Sequence, residues 1–405
     1  MRAIGCGRNP LVSEGARVQR RSVSRNRYSY HEFFAGGGMA RAGLGRGWTC
    51  LFANDIDPKK GATYAANWGK RNLKIADVAA LTTKDLPATA DLAWASFPCQ
   101  DLSLAGSGAG LRGDRSGTFW PFWRLIEDLV GEDRAPSVVV LENVCGALTS
   151  HGGKDFAAIC SAIAGAKYRF GALVVDAVRF LPQSRRRLFI VCVREGLTVP
   201  KKVFTTEADE LWHPSHLVSA YEKLPTRAKA AWLWFSLPKT SSHGVTFTDL
   251  IEKKPSGVSW HTSKQTRHLL SLMSPLNRKK IALAKKRGVR VVGVYKRMRK
   301  EKGRRVQRAE VRFDDISGCL RTPVGGSSRQ SIIVAKGKSV RSRLLSPREA
   351  ARLMGLPDSY KLPKNYNEAY HLAGDGVVVP VVRFLAANIL EPLVAAAKTR
   401  EQKAA

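Results

Sequence analysis

The sequence predicts an α/β protein with a doubly wound, mostly parallel sheet and a smaller basic domain. Three observations carry this expectation. From residue 28 to residue 195, short apolar runs alternate with segments of helical apolar spacing, the pattern of parallel strands joined by helical crossovers. Glycines and acidic residues recur where the apolar runs end, and sheets of this class bind ligands at the carboxyl ends of their strands. Beyond residue 195 the alternation stops and cationic side chains take over.

A chain of 405 residues is too long for one ordinary core, so two domains, or one large domain with an insertion, are expected. Its 67 Lys and Arg against 33 Asp and Glu leave a formal charge of +34. A surface so charged repels itself unless it serves a polyanion, with nucleic acid first and an acidic membrane surface second. No segment approaches about 18 consecutive apolar residues, so no transmembrane helix is expected. The basic start (Arg2, Arg8, Arg17, Arg20, Arg21) is not followed by an apolar signal core, which points to a cytoplasmic location. Residues 1–28 read as a disordered basic arm or a start placed too early, with a phosphate-contacting arm as the alternative. The seven cysteines are odd in number, widely spaced and without a CxxC pair. That pattern argues against a disulfide framework or a zinc site and for a reducing compartment, and no metal is expected.

In chain order, residues 28–34 read as a strand running into Gly36-Gly37-Gly38, a tight turn that opens a helix. Glycines there let backbone approach a ligand, and a helix start offers free N–H groups. Residues 49–53 are the next strand, followed by Asp55, Ile56 and Asp57-Pro58. An acid at that position can accept hydrogen bonds from a ribose diol, which assigns Asp55. Asp57 before Pro58 suits a helix cap. Residues 74–78 end a short strand with Asp77 and Val78. The apolar run 92–95 leads to Pro98-Cys99-Gln100, ahead of a glycine-rich stretch at 106–117. A cysteine in that place is either a packing residue or a presented nucleophile. Residues 119–130 have helical spacing, 137–141 form an apolar strand capped by Glu142-Asn143-Val144, and 156–164 suit a helix. Two further strands, 173–178 and 188–193, are joined through Gln183-Ser184-Arg185-Arg186-Arg187. Residues 278–312 carry sixteen Lys and Arg and two Glu. Strand-like runs at 291–294 and 306–313 favour a folded basic module over a solvated tail. Ser346-Pro347-Arg348-Glu349 is a helix start with a capping box, and Gly374-Asp375-Gly376 is expected to open a last helix running to residue 397.

Together these segments resemble the C5-cytosine DNA methyltransferases. Phe34-Ala35-Gly36-Gly37-Gly38 resembles the family's first cofactor motif, and Pro98-Cys99-Gln100 its catalytic-loop motif. Glu142-Asn143-Val144, Gln183 to Arg187, and Gly374 to Val377 follow in the family's order. The resemblance implies a Rossmann-like fold that binds S-adenosyl-L-methionine and acts on double-stranded DNA. It implies a catalytic and cofactor-binding domain at 29–198, a target-recognition domain at 199–330 and a C-terminal return at 331–405. It implies Cys99, Glu142, Arg185 and Arg187 as catalytic residues. Phe34, Gly36, Gly38, Asp55, Ile56, Asp77, Val78, Pro98 and Asp375 are the implied cofactor residues. The chain departs from the family at Met39 (usually glycine), at Asp55 (usually Glu), and at Asp375 and Gly376, where Asn and a small residue are more common.

The chemistry accounts for these residue types. Cytosine C5 is a poor nucleophile until a thiolate adds to C6 and makes C5 an enamine carbon. Cys99 would supply that thiolate, favoured by nearby Arg185 and Arg187. Glu142 would hold N3 of the base as negative charge develops. A duplex base is out of reach, so it must be flipped out, and residues 101–118 would close over it as a lid. Rival readings are a tRNA methyltransferase of the same fold, a DNA-binding protein without activity, and a nicotinamide-dependent dehydrogenase. The basic module and the absence of a Cys-Phe-Thr tripeptide favour DNA. The expected setting is a bacterial or phage restriction-modification system, with a cognate restriction endonuclease as partner, or an orphan modification system without one. A single asymmetric recognition stretch implies a monomer.

Overall fold

The structure is a computed structural model that describes residues 28–98, 117–241, 244–286, 290–301, 303–322, 329–337 and 339–404. Cys99, the stretch after it to residue 116, and the arm at 1–27 lie outside the described residues.

Seven strands form the main sheet: β1 (Tyr28–Phe33), β2 (Trp48–Asp55), β3 (Leu73–Ile75), β4 (Leu92–Ala95), β5 (Val138–Val144), β6 (Tyr168–Asp176) and β7 (Arg186–Arg194). Their order is β3-β2-β1-β4-β5-β7-β6. β1 to β5 pair in parallel, and β7 lies antiparallel between β5 and β6. Helices α1 (Met39–Leu44), α2 (Pro58–Trp68), α3 (Phe119–Gly131) and α4 (Lys154–Gly165) make the crossovers. Both faces of the sheet are therefore covered. This explains why β4 (Leu92 to Ala95) and the first half of β5 read as unbroken apolar runs. Strand order reverses between β1 and β4, so the crevice for a ligand lies above those two strands.

The next segment is not part of a separate domain. β8 (Phe204–Thr205) and β9 (Trp234–Phe235) pair with each other, and α5 (Ser215–Glu222) and α6 (Thr226–Ala230) lie between them. Phe170 of β6 donates its N–H to Ala231 (2.9 Å), and Leu233 donates back to Phe170 (2.6 Å). Leu217, Leu224 and Trp232 share a core with Ile159, Phe170 and Ile190. The approach is close enough that a Cβ on Gly171 would sit 1.9 Å from the Leu233 carbonyl oxygen. The expected boundary after residue 198 thus falls inside the catalytic core.

The boundary after residue 330 also moves. α7 (Ser263–Ser271) and α8 (Pro275–Lys286) lead into a second sheet of β10 (Arg290–Glu301), β11 (Arg304–Val311), β12 (Ser331–Lys336) and β13 (Ser339–Leu344). Its order is β11-β10-β12-β13, antiparallel throughout. β12 and β13 complete the basic module, because the apolar Ile333 packs with Val292, Val294, Leu269 and Met273.

The chain then returns through α9 (Pro347–Leu353), α10 (Tyr366–Asp375), α11 (Val379–Leu385) and α12 (Glu391–Ala404). Asp375 ends α10 rather than opening the last helix. The run Tyr366–Arg400 is long and apolar enough to cross a membrane by length and composition, and 56% of its most apolar window is buried within the protein. Tyr370, Val382, Leu385, Ile389 and Leu390 belong to the core that covers β1 and β2.

The capping box at α9 forms as the sequence predicts: Ser346 Oγ accepts from Glu349 N, and Glu349 accepts from Ser346 N (2.7 Å). The same carboxylate takes two guanidinium bonds from Arg343, at 2.6 and 2.7 Å, with both side chains fully buried. Glu252 N donates to it at 2.8 Å. One buried carboxylate thus joins β13, α9 and the loop before α7. Removing one partner of such a pair leaves an uncompensated charge. Arg343→Met is expected to cost about 3–5 kcal/mol of stability in denaturant unfolding, and adding Glu349→Gln is expected to restore part of it. Additive losses in the double variant would exclude the pair as the cause.

Candidate active site

A cavity of about 460 Å³ opens at the carboxyl ends of β1, β2, β4 and β5. Its lining includes Phe34, Gly36, Asp55, Ile56, Asp77, Val78, Pro98, Glu142, Arg187 and Asp375. Ten of the residues named from the sequence therefore meet in one place. Gly38 and Arg185 are not in the wall, and Cys99 lies outside the described residues. Pro98, its described neighbour, is in the wall.

The glycine turn is held from three sides. Asp55 Oδ2 accepts from Gly36 N at 2.7 Å, and its other oxygen accepts from Asp57 N at 2.8 Å. The Gly37 carbonyl accepts from Trp68 Nε1 at 3.0 Å and from the Tyr360 hydroxyl at 2.7 Å. Phe34, Gly36 and Gly38 all have positive φ, at 56°, 55° and 76°. A side chain larger than hydrogen tolerates this badly, so Phe34 is a strained residue at the cavity edge. At Gly38 a Cβ would also sit 2.4 Å from Trp68 Nε1. Asp57 caps α2 by accepting from Lys59 N (2.8 Å), and Asp77 caps the next turn through Ala79 N (2.9 Å). Ile56 is 63% exposed, a bare apolar side chain at the mouth of a cavity.

Glu142 sits opposite, within β5 rather than beyond it. Arg187 Nε lies 3.2 Å from Glu142 Oε1, and both side chains are largely buried. Burial pushes the Glu142 carboxyl above its usual range, and Arg187, Arg185 and a Ser96 hydrogen bond pull part of the way back. The guanidinium thus opposes the desolvation that burial imposes on this carboxyl.

Arg185 has a different place from the one expected. Its side chain is buried behind the cavity wall. Nη1 donates to the Leu320 carbonyl (2.9 Å), and Nη2 donates to the carbonyls of Gly374 (2.8 Å) and Gly376 (2.7 Å). The Cys319 sulfur lies 3.5 Å from Nη1.

Two cavity residues escape sequence reasoning. Glu32 lies on β1 with its Oε2 buried and without a partner, and it lines the cavity. An acid between Tyr30 and Phe33 in an apolar strand was the available signal. Burial pushes its carboxyl up to about 8, opposed by Arg41 and aided by Asp55. Lys60 Nζ bonds Asp375 Oδ2 at 2.8 Å across the cavity. Thr322 bonds the other oxygen of Asp375. No local pattern marks a contact between residues 315 positions apart.

The chain matches the C-5 cytosine-specific DNA methylase family over residues 28–391. It is 25% identical over 360 residues to the type II methyltransferase M.HhaI of Haemophilus parahaemolyticus, covering 88% of this chain and 93% of that one. It is 27% identical over 389 residues to the type II methyltransferase M.HpaII of Haemophilus parainfluenzae, covering 91% of each. Among solved structures it resembles the Dnmt2 methyltransferase of S. pombe, with a TM-score of 0.57 at 19% identity over 91% of this chain and 99% of that one. A putative DNA modification methyltransferase from an E. coli prophage gives a TM-score of 0.53 at 18% identity, over 92% and 99%.

Two outcomes follow from the cavity. A left-handed Cβ residue costs about 1–2 kcal/mol, so Gly38→Ala is expected to weaken cofactor binding by roughly 5–30-fold in calorimetry. Unchanged affinity would remove the turn from the binding site. The folded protein favours the protonated Glu32, so the stability this group contributes is full below about 4.5 and lost as pH rises through about 8. The melting midpoint of wild type is therefore expected to fall between pH 5 and 8.5 relative to Glu32→Gln. Parallel curves would exclude Glu32 as the titrating group.

Proposed function

The chain belongs to the C-5 cytosine-specific DNA methylase family, and from that premise we propose how its own residues carry out the reaction. It is a DNA (cytosine-5-)-methyltransferase that uses S-adenosyl-L-methionine. The observation that carries the assignment of roles is the cavity, which gathers the glycine turn, the acids of β1 to β3 and the Glu142–Arg187 pair at one switch point.

The cavity suits this cofactor chemically. Asp55 and Asp77 supply negative charge for a sulfonium and an ammonium group, Glu32 supplies a buried polar carboxyl, and Ile56 and Val78 supply apolar surface for a purine. The unpartnered oxygen of Glu32 is an acceptor awaiting a donor. Phe34, Gly36, Gly38, Asp55, Ile56, Asp77, Val78, Pro98 and Asp375 are the residues we assign to holding it. Bound there, the cofactor supplies an electrophilic methyl group.

The remaining roles belong to the chain. The Cys99 thiolate adds to C6 of a flipped-out cytosine as the C5–C6 π bond opens and makes C5 an enamine carbon; once C5 carries the methyl group, loss of its proton and expulsion of the thiolate restore the double bond. Glu142 holds N3 and stabilises the ring as charge develops. Arg187 fixes the Glu142 carboxylate and keeps it from drifting in the cavity. Arg185 acts as a positioning residue, since Nη1 and Nη2 donate to backbone carbonyls. The basic module binds duplex DNA at a specific sequence. We assign the protein to a cytoplasmic modification system, acting as a monomer alongside a cognate endonuclease.

Purified protein with labelled S-adenosyl-L-methionine is expected to transfer label to duplex DNA and not to tRNA. A duplex carrying 5-fluorocytosine at the target is expected to give an adduct that survives denaturation and disappears in Cys99→Ser. Glu142→Ala is expected to lower kcat by roughly 10²–10³-fold. Transfer to tRNA alone, or an adduct that persists in Cys99→Ser, would overturn these assignments.

A further inference from the structure

β10 and β11 pair from Val294↔Val311 out to Glu301↔Arg304. β12 pairs with β10 only as far as Val294. From Tyr295 onward the two strands therefore leave their sheet as a free ribbon. At about 3.4 Å per residue it extends roughly 24 Å. A bare two-stranded ribbon is marginal in water, so its side chains must supply what a third strand does not.

The register sorts those side chains onto two faces. One face carries Arg297, Arg299 and Glu301 from β10, with Arg304, Arg308 and Glu310 from β11. Both of its acids are engaged internally, though its four arginines outnumber them: Arg297 lies 3.2 Å from Glu310, Arg299 pairs with the same carboxylate, and Arg308 pairs with Glu301. These cross-strand pairs stiffen the ribbon. The other face carries Met298 opposite Gln307 and Lys300 opposite Arg305. It has no acid, and among the described residues neither Lys300 nor Arg305 has an ion-pair partner. Met298 is 49% exposed, unusual for a large apolar side chain with nothing to cover it.

The root of the ribbon is tied to the active site. The Tyr295 hydroxyl donates to the Cys319 carbonyl at 3.1 Å, and the Cys319 sulfur lies against Arg185. On the other edge, Ala309 N donates to the Leu272 carbonyl at the end of α7 (3.0 Å). The ribbon thus springs from the wall beside the catalytic cavity as a clamped arm.

A DNA major groove, about 12 Å wide, admits a two-stranded ribbon. Its base edges are read by Arg or Lys on guanine, by Gln on adenine, and by apolar contact on the thymine methyl. The acid-free face presents all of these types and no negative charge to repel phosphate. We propose that this ribbon enters the major groove of the substrate duplex, and that Met298, Lys300, Arg305 and Gln307 form its sequence-reading face. The proposal rests on the reading of duplex DNA as substrate.

The test uses full-length protein and two kinds of variant. Gln307→Ala and Met298→Ala are read by sequencing the sites methylated in a plasmid library. Discrimination at one or two positions is expected to relax by roughly 5–150-fold. Lys300→Ala/Arg305→Ala is read by duplex binding across a salt series, where the log–log slope is expected to shrink by about one to two. A charge-reversed Lys300→Glu/Arg305→Glu variant is expected to lose at least about a hundredfold in duplex affinity at physiological salt while keeping wild-type cofactor affinity in calorimetry. Variants that bind cofactor normally and change neither methylated sequence nor salt slope would overturn the ribbon as the reading element. Wild-type protein that labels no DNA would overturn the substrate reading and this proposal together.

Discussion

A buried guanidinium holds the active site together. Arg185 is tied to the Leu320 carbonyl from the crossing after β11, and to Gly374 and Gly376 at the end of α10. Its own backbone N–H is held by Asp176 at 2.8 Å. Three stretches distant in sequence meet on one planar donor fork. A carbonyl buried without a donor costs about 1–3 kcal/mol, so the arginine satisfies acceptors that no regular element reaches. Arg187 lies two residues further along and points into the cavity, where it fixes Glu142. The staple and the catalytic pair are thus built from one short segment, and the position of the second depends on the first.

The cavity is organised before anything enters it. Asp55, Trp68 and Tyr360 fix the glycine turn, and the strain at Phe34 is borne by the same contacts. Asp55 spends both oxygens on backbone N–H groups, although each retains a further lone pair for a ligand hydroxyl. Glu32 and Glu142 are carboxyls raised by burial on opposite sides of the space. Such carboxyls resist charging until a partner arrives, which suits sites for a cationic cofactor and for a base that gains charge during reaction. Lys60 and Asp375 join two sides of the cavity wall by an ion pair at 2.8 Å.

The large positive charge is not spread evenly in its effects. Much of it on the ribbon is neutralised across the strands by Glu301 and Glu310. On the opposite face no acid offsets Lys300 and Arg305. Charge arranged in this way steers a polyanion toward the reacting site and also sets its orientation, which a diffuse surface charge does not do.

Local pattern made much of the fold legible. The alternation of apolar runs marked the strands of the main sheet, and Asp57-Pro58 and Ser346-Pro347-Arg348-Glu349 marked helix starts that formed as read; glycines and acids at strand ends marked Gly36, Asp55, Asp77 and Glu142, to which the family resemblance added Phe34, Ile56, Val78, Pro98, Arg187 and Asp375 in the same cavity. These features are short-range: a turn, a cap or a buried strand constrains residues a few positions apart. The domain limits, the burial of Arg185, the Lys60–Asp375 pair and the ribbon's two unequal faces were not legible. Each depends on which distant segments pack together, as when Leu233 meets Phe170 or β12 completes the sheet of β10. The class of fold, the motif residues and the chemistry they can perform are legible in local pattern and in the family resemblance. Which arginine faces the cavity and which is a staple follows from long-range packing alone, because burial and hydrogen-bond partners are set by contacts between segments distant in sequence.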